Sequence, residues 1–421
     1  MTTPESNPGS RSGQAPNRTV QPWVRRMVAR DATTPHRAST NLELLFDLTF
    51  VVAVATVARE LAHSLEAGHY GHAIGGYAMV FFAIWWAWMN FTWFASAYDT
   101  DDVPYRLLTL VQMGGVLVLA AGIPSAFEHN EFAGVTVGYV IMRIALVVQW
   151  LRAAAADASH RRTCLRYAVG ISVVQVGWLV RLVLPDDLAV PSFIVLAICE
   201  VLVPILAERG NMTTWHPEHI GERYGLFTII ILGECVTQVA NAIQSAYDEG
   251  GLSGDLVASA IAGLVLLFGL WWLYFIVPQG ERLRVQRNLA FVWGYGHLIV
   301  FASLAAVAAG LEVAIASISD HGELSTMALA FIIAIPLAVF LVIDGVLCAL
   351  LTEHGEPPIG AVAVAGALCL LAALTGAWWP IPVVAALVIL PVVLLVGYSV
   401  VVAHWRSAAA GRTQLSLAAL D

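Results

Sequence analysis

Glu43 and Asp47 are the residues whose chemistry and position most need a cause. They stand four apart at the head of NLELLFDLTFVVAVATVARELAH, residues 41–63, an apolar run long enough to cross a bilayer. On a helix that spacing puts both carboxylates on one face, one turn apart. A carboxylate near the bilayer centre costs roughly 2.5–3.5 kcal/mol on insertion scales. Nearer an end the cost falls, because the group reaches interfacial water. The pair therefore needs a polar partner in a helix bundle or a wet cavity, or else it merely ends the helix at the interface. With no other charge within a turn, two such carboxylates share a proton. That chemistry suits a cation or a proton-coupled solute.

A second unusual run is GERYGLFTIIILGECVTQVANAIQS, residues 221–245, headed by Glu222 and Arg223. Glu234 lies deep within it, and Gln238, Asn241 and Ser245 follow at i+4, i+7 and i+11. This polar stripe is expected to face the bundle interior or a water path. A closed pair between Glu234 and Arg143 is the structural alternative. Asn90 and Thr92 lie inside the span that precedes Asp99, Asp101 and Asp102. Three acids at a helix exit either gather cations through hard oxygen ligands or form a solvated cap before Pro104. Glu200, Glu312, Asp344 and His297 are further ionisable residues in apolar runs. Trp85, Trp86, Trp88, Trp93, Trp271 and Trp272 read as packing and interface anchors. His63, His69 and His72, with Glu66, show no recognised metal-ligand spacing. No phosphate loop, serine-hydrolase elbow, zinc-protease or dinucleotide motif is found, so neither a cofactor nor a metal is called for.

The elements that must position these residues follow from composition. Of 421 residues 59% are hydrophobic and 12% charged, with a mean hydropathy of +0.75. Soluble domains carry about 25% charge, so this chain belongs in a lipid bilayer. Its net charge of −9 argues against a nucleic-acid partner. Five cysteines fall in apolar runs without ligand spacing and read as small hydrophobes.

The expected fold is an all-α polytopic membrane protein of about twelve spans. They fall at roughly 42–63, 72–96, 104–127, 131–153, 164–184, 189–207, 221–246, 253–277, 288–318, 324–350, 358–377 and 381–405. The long ninth span could tilt or break at a glycine. Every basic residue is arginine, and arginines concentrate in alternate loops; this places both termini on the cytoplasmic side. Arg223 counts among these inner charges and, with Glu222, also among the candidates for the polar interior. Residues 1–38 read as a disordered tail and 407–421 as a short one. Between them the chain divides into six-helix halves at 39–210 and 211–406. IWWAWMNFTWF at 84–94 has a counterpart in LWWLYFIVPQG at 270–280, and each half opens with an acid-headed helix, at Glu43 and at Glu222. Units six helices apart would be parallel repeats. Assembly into an oligomer is compatible with this composition.

The motifs ELLFDLTFVVAVATVAREL, NFTWFASAYDTDDVPYRLL and HIGERYGLFTIIILGECV, in this order, resemble the bacterial low-temperature-requirement A (LtrA) family of integral membrane proteins. The resemblance covers about residues 40–310. Leu45 stands where the family usually has a second Phe, and Cys235 where Ser often follows the Gly-Glu pair. The family has no settled activity, so the resemblance implies a location and a fold. At the level of fold alone, Phe46-Asp47 and the run after it are similar to the Phe-Ser-Asp first helix of two-repeat lysosomal and bacterial potassium channels. The serine is absent here, and the second half has no equivalent Phe-Asp. Together these readings point to a transporter or channel for a small solute or cation. The rival readings are a membrane stress sensor or scaffold, and an intramembrane enzyme.

Overall fold

The computed structural model describes residues 23–31, 38–250, 254–320, 324–352 and 357–418. The described residues form fourteen α-helices, and twelve spans are long and apolar enough to cross a membrane. Most of the expected tails, residues 1–22, 32–37 and 419–421, lie outside the described set. The helix that contains the last span continues to Ala418.

α1 (Asn41–Glu66) starts at a capping box: Thr40 Oγ1 accepts from the Glu43 amide, and Glu43 accepts from the Thr40 amide. α2 (Tyr70–Tyr98) is apolar on nearly every side and lies buried through most of its length, as expected of a central helix. α3 (Val103–Ala121) is capped by Asp102, whose carboxylate accepts from the Tyr105 amide at 2.9 Å. The short α4 (Ile123–Glu128) completes that span. α5 (Ala133–Ala156) lies against α3 backbone to backbone. A Cβ on Gly138 would fall 2.3 Å from the Leu119 nitrogen and 2.5 Å from the Gly115 carbonyl. Small residues permit this approach, and dispersion between close backbones rewards it. α6 (Arg161–Arg181) and α7 (Ala189–Ala207) finish the first group.

The second group comprises α8 (Pro217–Gly250), α9 (Gly254–Phe275), the short α10 (Gln279–Val285), α11 (Ala290–Asp320), α12 (Thr326–Leu351), α13 (Ile359–Leu374) and α14 (Ile381–Ala418). α11 is one continuous helix, so of the two alternatives, tilt or break, the break does not occur. In the first group α1 packs on α2 and α3, α3 on α5, α5 on α6 and α6 on α7; in the second, α8 packs on α9 and α11, α11 on α12, α12 on α13 and α13 on α14. The groups meet where α1 and α2 face α8 and α11.

Candidate functional site

Asp47 faces inward and is 1% exposed; Glu43 is fully buried. Their partner comes from α8. Arg223 Nε donates to Asp47 Oδ2 at 2.7 Å and Nη2 to Oδ1 at 2.5 Å, a bidentate pair. Arg223 Nη1 lies 3.3 Å from Glu43 Oε1. His219 Nε2 lies 3.1 Å from the same oxygen. Trp88 of α2 donates its indole N–H to Asp47 Oδ1 at 2.7 Å. Thr40 donates to Glu43 Oε2 from both its amide and its hydroxyl, at 2.8 and 3.0 Å.

The geometry follows from two matched spacings. Glu43 and Asp47 are four apart on α1, and His219 and Arg223 are four apart on α8, so two acids meet two basic side chains one turn at a time. This corrects the expectation that Asp47 has only like-charged company and shares a proton with Glu43. Arg223 is fully buried, in keeping with its place among the polar-interior candidates rather than with its count among the loop charges.

Arg143 does not pair with Glu234. It bonds to Glu200 of α7. Glu200 also accepts from Tyr139 Oη at 2.8 Å, Trp178 Nε1 at 3.2 Å and Trp86 Nε1 at 2.8 Å. Trp86 and Trp88, two residues apart on α2, thus serve carboxylates on α7 and α1. Trp85 is also buried, whereas Trp271 and Trp272 are exposed. Glu234 is buried, but Asn241 on the same stripe is exposed, and the side chains of Gln238 and Ser245 lie outside the described residues. Of the two alternatives for the stripe, the bundle interior holds at Glu234, while at Asn241 the face is open. Asn90 donates to the Trp86 carbonyl of its own helix at 2.8 Å.

Each acid at the end of α2 is taken by an arginine. Arg30 binds Asp99 at 2.7 Å, Arg106 binds Asp101 at 2.7 Å and Arg152 binds Asp102 at 2.7 Å. The Arg106 bond leads in holding Asp101 below the usual carboxylate range. At Asp102 burial pushes the other way and is outweighed by the Arg25 and Tyr105 amides and Arg152, so the carboxyl is again held low. The cap reading fits this arrangement, and cation gathering by free carboxylates does not. Among the described residues no group of three or more His, Cys, Asp or Glu could hold a metal ion.

Glu222 accepts from the Ser39 amide at 3.3 Å. It also lines a cavity of about 300 Å³ with Glu218, Tyr274, Gln279 and Glu281. His297, fully buried on α11, meets Tyr274 Oη at 3.1 Å and the Trp293 carbonyl at 2.8 Å. A larger cavity of about 650 Å³ lies between α1, α2, α11 and α12 and is almost wholly apolar.

Sequence reasoning missed His219 and the two indole donors. Their signal was present: a buried indole N–H needs an acceptor, and His219 repeats the four-residue spacing of Glu43 and Asp47.

A family model described as bacterial low temperature requirement A protein (LtrA) matches residues 38–399. That range contains every residue of both charge networks and runs well past residue 310, where the sequence motifs end. An uncharacterized protein of Rhizobium meliloti (strain 1021) is 25% identical over 303 residues, 68% of this chain and 72% of the relative.

Proposed function

Since this chain belongs to the bacterial low temperature requirement A family, whose name gives a requirement and no reaction, we propose a function from its geometry: a multi-pass inner-membrane protein that moves a small cation or a proton-coupled solute. The observation that carries this reading is the network of Asp47, Glu43, Arg223 and His219. It is buried, and it joins the first helices of the two groups. An arriving cation or proton competes with Arg223 for the carboxylates and so loosens α1 from α8. Packed interfaces of this kind have discrete arrangements, and one local charge change can bias them.

Two parallel six-helix halves, 39–210 and 211–406, fit the matching order of helix contacts in the two groups. The end bearing Arg30, Arg106, Arg152 and Arg284 is then cytoplasmic by the positive-inside rule. One observation favours a scaffold or sensor instead: Asp47 accepts three strong hydrogen bonds, which is also how a permanent strut would look. The purified protein in liposomes, screened for small-ion flux with and without a pH gradient, separates the two. Flux supports transport; its absence for every ion leaves the scaffold.

A further inference from the structure

Asn90 and Glu208 line one cavity of about 30 Å³, at the end where α2, α5 and α7 finish and α6 and α11 begin. Since a water needs roughly 10–15 Å³ of such space, there is room for one or two water-sized groups. α11 of the second helix group closes the cavity against the first. Six aromatic rings wall it: Trp93, Trp150, Tyr167, Trp215, Phe291 and Tyr295. Trp93 and Trp215 meet with ring centres 5.0 Å apart at 58°, and Trp150 stacks on Tyr167 at 4.1 Å. The faces of such rings are negative and attract a cation within about 6 Å. Trp215 shows this already, with the exposed Arg287 guanidinium 4.4 Å from its ring centre.

Glu208, just past the end of α7, is 8% exposed. Its Oε1 accepts from the Tyr167 hydroxyl at 2.9 Å and the Thr213 hydroxyl at 2.8 Å, and its Oε2 from the Thr213 amide at 2.7 Å. All three donors are neutral. Asp47 and Glu200 each hold an arginine, but among the described residues none pairs with Glu208. Arg166 bonds instead to the Arg209 carbonyl at 2.7 Å, and His160 is taken by Asp157. Burial raises the Glu208 carboxyl, and the bonds from Thr213 and Tyr167 offset this only in part. A buried carboxylate without a counter-charge is costly, and a cation in the cavity supplies one.

Asn90 adds a second acceptor. It is 7% exposed, and its Nδ2 donates to the Trp86 carbonyl at 2.8 Å. A carbonyl only accepts, so the amide nitrogen is fixed there and Oδ1 is left to accept. The hydroxyls around the cavity are spent: those of Tyr167 and Thr213 on Glu208, and that of Tyr295 on the Val201 carbonyl at 3.3 Å.

We propose that this cavity binds a small ammonium cation, either ammonium itself or methylammonium. Its N–H groups donate to Glu208 and Asn90, and the aromatic faces take the rest of its charge. A bare metal ion would need a cage of oxygens, whereas most of this wall is carbon. The proposal deepens the transport reading by naming the class of cation. It rests on that reading for movement of the ion, and not for its binding.

The full chain in detergent is titrated with ammonium or methylammonium chloride, with sodium chloride holding the ionic strength constant. Tryptophan emission and thermal unfolding are read together. Both salts should give a saturable change in emission and raise Tm, because a ligand held only by the folded state stabilises it. Tetramethylammonium, too large and without an N–H, should do neither. Glu208→Gln should weaken binding at least tenfold. Ala290→Val, which fills the space but keeps Glu208 and its donors, should weaken it as much in a folded protein. A wild type without a saturable response, or a folded Ala290→Val that binds as the wild type does, overturns the site. An equal response to tetramethylammonium overturns the assigned ligand. Uptake of radiolabelled methylammonium into proteoliposomes separates this claim from the transport reading. Saturable binding without uptake overturns transport and leaves the site standing; uptake undiminished in Ala290→Val overturns the site and leaves transport standing.

Discussion

Replacing Asp47 by Asn changes one atom and should cost much of the fold's local stability. Asp47 accepts from Arg223 Nε at 2.7 Å, Arg223 Nη2 at 2.5 Å and Trp88 Nε1 at 2.7 Å. Asn has a single acceptor oxygen, so its amide nitrogen must face a donor of either the guanidinium or the indole. At least one charge-assisted bond is lost, each worth roughly 1.5–3 kcal/mol, and Arg223 loses its full counter-charge. Glu43, with Oε1 at 3.3 Å from Nη1, compensates in part. The expected loss is about 3–5 kcal/mol, the range for breaking one side of a buried pair. Arg223→Gln should cost a similar amount by leaving two carboxylates without a cation. The double variant Asp47→Asn/Arg223→Gln removes both charges and should be no less stable than either single variant, a coupling at least as large as one single loss, roughly 3–5 kcal/mol. Thermal unfolding of detergent-solubilised protein, followed by size exclusion, reads this as a downward shift of several degrees for each single variant and a smaller one for the double. Additive losses, or a single Asp47→Asn variant as stable as wild type, would refute the pairing.

The other network should behave alike. Glu200→Gln leaves Arg143 buried without its carboxylate and should lower stability by roughly 3–5 kcal/mol in the same thermal assay, with Tyr139→Phe milder because one neutral bond is lost. Asp157, in the loop between α5 and α6, gives a pH signature: burial raises its carboxyl, but hydrogen bonds from Ser159, His160 and Tyr98 outweigh it and bring it to about 2. A depressed acid contributes stability above its unfolded pKa of about 3.9 and loses it as pH falls toward the folded value. Hydrogen exchange in residues 157–164 should therefore lose protection between about pH 4 and pH 2, beyond the intrinsic rate change, and Asp157→Asn should flatten that response. On topology, reporter fusions in the 154–163 loop and at Asp421 should both report cytoplasm, and a periplasmic signal at either contradicts the orientation.

The spans were legible because hydropathy over about twenty residues is a strong signal, and the twelve windows recur in the structure. The demand of Glu43 and Asp47 for a polar partner was legible too, from the cost of charge in lipid. Its source was not. α8 begins at Pro217 rather than near 221, and those extra residues bring Arg223 more than a turn inside the helix. A boundary error of one turn thus turned a buried counter-charge into a loop charge. The acids at Asp99, Asp101 and Asp102 misled in the opposite sense, because the arginines that neutralise them come from three separate places, Arg30, Arg106 and Arg152. Arg106 is near Asp101 in sequence, but the pairing of Arg30 with Asp99 and of Arg152 with Asp102 spans helices and leaves no local pattern. On α8, Glu234 is buried with Ile231 and Val239, whereas Asn241, on the same face seven residues on, is exposed; a shared face in the sequence does not fix how far along a helix the neighbours reach.

The central claim is that the α1–α8 charge network controls passage through the protein. The direct measurement is cation and proton flux in liposomes holding either the wild type or the folded double variant Asp47→Asn/Arg223→Gln, at matched protein content and with an imposed pH gradient. The account predicts flux in the wild type that responds to the gradient, and at least a tenfold lower, gradient-insensitive flux in the double variant. Equal flux in the two, or none in the wild type for any small ion, would contradict it.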